Sequence, residues 1–169
     1  MMPSKEREKH SMMKKLIACS VGLLMAGAAS LAVAQVSPED QIKFRKAGYS
    51  YMSWNMGKLK AQVIDGSVAY DQKQVEAAAN AIAAIANSGM GALYGPGTEK
   101  SVGKQKTRVK PEFFTQKDEV AKVAIAFNQA ANELAKVAAG GDKAAIAKAF
   151  GDVGKSCKGC HDKFRKDDK

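Results

Sequence analysis

Between Ile42 and Phe164 the apolar side chains recur at alternating steps of three and four, the period of one face of an α-helix. The first run is Ile42, Arg45, Tyr49, Met52, Met56, Leu59 and Val63, a seam with one charged intruder at Arg45. Ser37-Pro38-Glu39-Asp40 precedes it and supplies an N-cap, a proline for the first turn and acidic groups against the helix dipole. A second run, Val75, Ala78, Ile82 and Ile85, follows Asp71 and Gln74 in a capping-box arrangement and stops at Ser88-Gly89. The third, Val120, Val123, Phe127, Ala130, Leu134 and Val137, is predicted to start at Thr115 with Asp118 three residues on, and to end at Gly140-Gly141. The fourth starts at Asp142 and aligns Ile146, Phe150, Val153, Cys157, Cys160 and Phe164.

No stretch alternates with the period of a strand. Four heptad-like seams joined mostly by short links predict an all-α fold, an antiparallel up-down-up-down four-helix bundle whose neighbours cross at about 20°. One link is long. Residues 89–110 are rich in Gly and Lys, and a connection of this length is either a functional loop or a crossover carrying solvated lysines. The second reading is preferred, although these lysines are also placed to edge a crevice.

Residues 1–34 read as a targeting segment and not as part of the fold. Lys14 and Lys15 precede an apolar stretch from Leu16 to Val33, and Ala32-Val33-Ala34 fits an A-x-A cleavage signal, so the mature chain is expected to be residues 35–169. Residues 1–12 read as an extension upstream of that signal. Leu16-Ile17-Ala18-Cys19 is not taken as a lipidation site, because the apolar run follows Cys19 instead of preceding it. Removing 34 of 169 residues leaves 135, enough for one domain with a core, and no remaining apolar run has the length of a bilayer span. The mature chain carries 22 Lys and Arg against 15 Asp and Glu, a formal +7. Such a charge steers acidic partners. Export and the scatter of the lysines speak against nucleic acid.

Candidate chemistry concentrates in Cys157-Lys158-Gly159-Cys160-His161, a C-x-x-C-H spacing that is the attachment motif of a c-type haem. On a helix these three functional side chains stand at i, i+3 and i+4 and share one face. The thiols would become thioethers to haem and His161 the axial iron ligand. A zinc site lacks further ligands, since Cys157, Cys160 and His161 are the only cysteines and histidine after residue 34. A thioredoxin-like pair belongs at a helix N-terminus, whereas here the helical pattern runs through the motif. A disulfide gives His161 no role. Because the two cysteines lie on the fourth seam, the haem is expected inside the bundle. With no second histidine after residue 34, no nucleophile–base constellation can be assembled away from the motif, and no enzyme activity is expected.

The chain resembles the cytochrome c′ family over Val36 to Lys166. The likeness rests on the opening S-P-E-D-x-x-K-F-R, on Y-G-P-G-T-E in the long link, on K-P-E-F-F before the third helix, and on A-F-G-D-V-G-K-S-C-K-G-C-H-D-K-F-R at the end. This resemblance implies a periplasmic homodimer with one covalent haem c per chain, held by Cys157 and Cys160, with His161 on one side of the iron and no protein ligand on the other. It places Arg45 against a haem propionate, as a guanidinium on an apolar seam needs a fixed anion. Snorkelling to solvent is the alternative for Arg45. Lys46 stands where the family often has glutamine, next to the propionate. Arg165 falls on the proximal side of His161. Tyr49 occupies the place where low-spin relatives carry a methionine ligand, and is expected to cover the distal face without binding iron. Met52 and Met56, one and two turns on, read as core filler.

Three functions follow. The first is a five-coordinate haem protein that binds nitric oxide or carbon monoxide, with or without a part in electron transfer. The second is a six-coordinate, low-spin carrier with a methionine sixth ligand that docks an acidic redox partner. The third is a structural bundle with an incidental redox disulfide. Phe44, Tyr51 and Trp54 lie off the main seam of the first helix and are expected, with the second helix, to form the two-fold contact of the homodimer.

Overall fold

The computed structural model describes residues 36–167; the predicted targeting segment lies outside them. Four long helices carry the fold: α1 (Pro38–Leu59), α2 (Gln72–Ala86), α3 (Lys117–Gly140) and α4 (Lys143–Phe164). There is no strand among the described residues, only isolated bridges between Val102 and Gln105 and between Val109 and Arg165. None of the described helices is long and apolar enough to cross a membrane.

Local chemistry sets most helix ends. Ser37 Oγ accepts from the Asp40 amide at 3.1 Å with Pro38 in the first turn, and Asp71 Oδ1 accepts from the Gln74 amide at 3.1 Å. Asp142 Oδ1 accepts from the Ala144 and Ala145 amides. Each satisfies donors that the helix itself cannot. Gly141 ends α3 at φ 75°, a left-handed cap that a β-carbon would strain.

The start of α3 departs from expectation. Thr115 is not its cap. It closes a separate helical turn, Glu112–Thr115, and its hydroxyl donates to Glu112 O, while α3 starts at Lys117 behind Gln116 without a side-chain cap. The reason is tertiary. Phe113 and Phe114 of that turn pack on Tyr94 and, through Phe113, on Phe164 of α4. Aromatic burial therefore fixes where the turn sits, and the local cap signal loses.

Helix α3 packs on both α4 and α2, and α2 on α1. Helices α1 and α4 meet chiefly where a π-helical turn, Lys60–Ile64, continues α1 and reaches α4. Around that end the core is dense: Leu59, Ala79, Ile82, Leu134, Ala138 and Ile146 have no exposed surface. Gln62 is buried there as well, and its side chain accepts from the Asp71 amide at 2.8 Å. Toward the other end the seams lose cover. Val120, Val123, Cys157 and Cys160 are half-buried, and Tyr49 is 42% exposed. The bundle is thus closed at one end and parted between α1 and α4 at the other.

Truncating a side chain at the closed end should be costly. Leu134→Ala is expected to lower unfolding stability by about 2–5 kcal/mol, and Asp142→Ala, which removes only a cap, by about 1 kcal/mol. Urea unfolding of both variants measures the contrast.

Candidate haem site

Cys157, Cys160 and His161 lie within the last two turns of α4. Helical spacing puts the two thiols on the flank that looks into the parted end, and both are half-buried. Burial pushes both thiols above the usual cysteine range. A redox pair needs the opposite, a thiol lowered by a helix N-terminus or a cation. That argues against the disulfide reading, whereas covalent attachment needs only two sulfurs and an imidazole on one helical face. Among the described residues no group of three or more His, Cys, Asp and Glu gathers to hold a bare metal ion.

The His161 ring lies on the exposed side of α4, with Nδ1 3.4 Å from a terminal nitrogen of Arg165. Partial desolvation of the ring against the helix, then the cations Arg165 and Arg108, hold its pKa below the ordinary value. The neutral imidazole is therefore favoured, which is the form that ligates a metal. Arg165 itself is fixed through its backbone: its amide donates to His161 O, and Val109 bridges to it from the long link. Arg108, His161, Asp162, Arg165 and Lys166 line a polar cavity of about 140 Å³ on this side.

Across the parted end stands α1. Arg45 is only 2% exposed, so it does not snorkel. Its guanidinium enters the long link, donating from one nitrogen to Leu93 O and Thr98 Oγ1 at 3.0 Å each, and from the other to Thr98 O at 2.9 Å and Thr107 Oγ1 at 2.8 Å. Neutral oxygens of the link thus satisfy four of its donors. Burial lowers its pKa, yet an arginine remains charged. Lys46 is exposed and its amine lies 3.4 Å from Gln105 Oε1.

The long link is consequently not a solvated crossover. Besides Arg45, buried Gln41 accepts from the Gly95 amide at 2.9 Å and donates to Val36 O at 2.7 Å, and Glu39 accepts from the Lys104 amide at 3.0 Å. A β-carbon at Gly95 would stand 2.8 Å from Gln41 Oε1, so a larger residue there would displace the end of the Gln41 side chain from this contact. Tyr94 in the link stacks on Phe113 with ring centroids 4.2 Å apart, and the Arg45 guanidinium lies 4.4 Å from its centroid. Its hydroxyl is 3.0 Å from that of Tyr49. Burial raises both phenols above their usual range. Sequence reading missed Tyr94 as a site residue; its only signal was membership of Y-G-P-G-T-E. Met52 is in the core and Met56 packs against it, as expected of filler.

A parted four-helix bundle with C-x-x-C-H on its last helix defines a class, the all-α proteins that hold a covalent haem between helices. The cytochrome C′ family model matches residues 40–165, so the chain belongs to the cytochrome c′ family. A cytochrome c′ of Allochromatium vinosum is 59% identical over 151 residues, covering 89% of this chain and 96% of that one. A solved cytochrome c′ described as having ligand-controlled dimer dissociation superposes with TM-score 0.76 at 60% identity, covering 79% of this chain and all of the other. Variants of the Alcaligenes xylosoxidans protein, solved with nitric oxide or carbon monoxide bound, superpose with TM-score 0.68 at 30% and 31% identity, covering 78% of this chain and 98% of theirs. The family's cofactor is haem c, and the single C-x-x-C-H motif provides for one per chain.

The residues present fit that group. The half-buried thiols, the neutral imidazole and the incompletely covered apolar seam between α1 and α4 suit a flat, mostly apolar ring with polar edges.

Arg45→Ala should unpin the link. Four loop oxygens would lose their donor, at a cost of about 1–3 kcal/mol for those left dry. Hydrogen exchange should show faster exchange of the Val102, Gln105 and Thr107 amides, with α2 amides little changed.

Proposed function

We propose that this protein is an exported c-type haem protein whose iron is five-coordinate and high-spin, with His161 as its one protein ligand. It binds small diatomic gases, nitric oxide or carbon monoxide, and/or takes part in electron transfer, in the periplasm. Cys157 and Cys160 form the thioethers, Tyr49 covers the distal face, and Arg165 lies on the proximal face beside His161. Arg45 and Lys46 border the propionate edge, Arg45 through the loop it pins. Haem iron with one protein ligand supplies an open coordination position for a diatomic ligand.

The observation that carries this reading is Tyr49. Its place on the first seam holds a phenol instead of a thioether, its hydroxyl is engaged by Tyr94, and a phenol, with an ordinary pKa of about 10, stays protonated at neutral pH, which makes it a poor iron ligand. The six-coordinate alternative needs a methionine near the iron, but Met52 and Met56 are taken up by the core. The gas-bound Alcaligenes xylosoxidans structures support the choice of ligand. The basic surplus of the chain supports docking of an acidic redox partner.

The same reading makes the protein a homodimer. Phe44, Tyr51 and Trp54 of α1 are 48%, 51% and 57% exposed and form a larger apolar face than a lone helix keeps in water. The relative with ligand-controlled dimer dissociation supports a second copy as the occupant. Sedimentation at micromolar concentration should give about twice the chain mass, and a monomer there would count against the contact.

Mass spectrometry of periplasmic protein should show the chain from Gln35 plus one haem that survives denaturant. An apo mass from cells competent in haem attachment would overturn the haem assignment. Visible and electron-spin spectra should report high-spin, five-coordinate iron. Tyr49→Ala should bind carbon monoxide to the ferrous protein about tenfold faster or more, the rate equivalent of about 1.4 kcal/mol. Tyr49→Met should give a low-spin, six-coordinate spectrum. A low-spin spectrum of the unmodified protein would favour the electron carrier.

A further inference from the structure

We propose that Tyr94 is a positioning residue for the distal face: its hydroxyl tethers Tyr49, so admitting a ligand requires breaking a tyrosine–tyrosine hydrogen bond held by the Arg45-pinned loop. The inference rests on the reading of Tyr49 as the distal cover.

Four observations converge on Tyr94. Its hydroxyl oxygen is 3.0 Å from that of Tyr49, within the range of an O–H···O hydrogen bond. The ring cannot easily turn away, since Phe113 stacks on it at 4.2 Å and the Arg45 guanidinium sits 4.4 Å from its centroid. The backbone on either side is fixed to α1, through the Arg45 bonds to Leu93 O and Thr98 and through the Gln41 bond to the Gly95 amide. Finally, the 3-10 turn Met90–Leu93 lies close on α1 at Gly48, where a β-carbon would come within 3.1 Å of Met90 Sδ and Cε. Tyr94 is therefore the rigid partner and Tyr49 the one free to move. Tyr49 is attached to a helix surface that leaves it 42% exposed, and its hydroxyl has Tyr94 as its hydrogen-bond partner.

A bulky cover alone would act by volume. A tethered cover adds an energetic threshold equal to the net strength of one hydrogen bond, and it gives the cover a preferred position to which it returns. Phenols ordinarily titrate at about 10, well above neutral pH, so the pair is uncharged there and the tether persists.

The test is a double-mutant cycle on the haem-loaded protein with Tyr94→Phe, Tyr49→Phe and both together. Each single variant should speed carbon monoxide association by about two- to tenfold, the rate range of one net hydrogen bond. In the Tyr49→Phe background, Tyr94→Phe should add nothing. An independent readout is the urea midpoint of the carbonyl-free protein, where the two substitutions should be non-additive because they remove the same bond. Tyr94→Phe that leaves association unchanged while Tyr49→Ala accelerates it would overturn the tether and leave the distal cover standing. Equal acceleration by Tyr94→Phe in both backgrounds would also overturn it, since Tyr94 would then act through packing. If Tyr49→Ala gives no acceleration, the distal cover itself falls, and the tether with it.

Discussion

A guanidinium withdrawn from water must find an acceptor for its donors, and at Arg45 that requirement organises one whole end of the bundle. The acceptors are supplied by residues 93–107, far along the chain, so the long link is drawn onto α1 instead of lying in solvent. Tyr94 is carried with it and comes to rest between Arg45 and Phe113. Phe113 in turn packs edge-on to Phe164, three residues beyond His161. One buried charge thus connects α1, which bears Tyr49, to the helix that bears the haem motif, through a loop and a run of aromatic rings.

The two ends of the bundle are built for different tasks. At the closed end polar groups are used to seal: Tyr70 bonds to Gln72 and to Gly141 O, and Gln72 donates to Ala138 O, tying the start of α2 to the end of α3. The aliphatic core there contains fully buried residues from all four helices. At the other end α1 and α4 stay apart, and the apolar seam there is incompletely covered. Covalent attachment would suit such a place, because bonds from Cys157 and Cys160 and ligation by His161 would keep the group from leaving a cleft that protein contacts alone hold incompletely.

Charge on α4 is arranged locally. Asp152 lies between Lys148 and Lys155, Asp162 meets Lys158, and Glu119 of α3 accepts from both Lys122 and Lys163. Those lysines hold the Glu119 carboxyl down to about 2 and that of Asp152 below its usual range. All are exposed, so their contribution to stability is small and screened by salt. Their effect is to pair acidic groups on α3 and α4 with lysines on the same surface.

The sequence by itself determined the number of helices, most of their ends and the covalent chemistry, because these depend on neighbours three or four residues apart. Ser37, Asp71 and Asp142 cap where their position says they should, and C-x-x-C-H is legible on any helix. Periodicity also put Arg45 and Tyr49 on one seam with Met52, but not what they touch. The partners of Arg45 lie 48 to 62 residues away, and Tyr94 reaches Tyr49 across 45 residues. Only the tertiary fold decides such pairs. The same holds for the start of α3, where Phe113 and Phe114 follow distant rings and override the Thr115 cap signal. Local rules set what each segment is; long-range burial set which donors, rings and thiols share the space at the haem end.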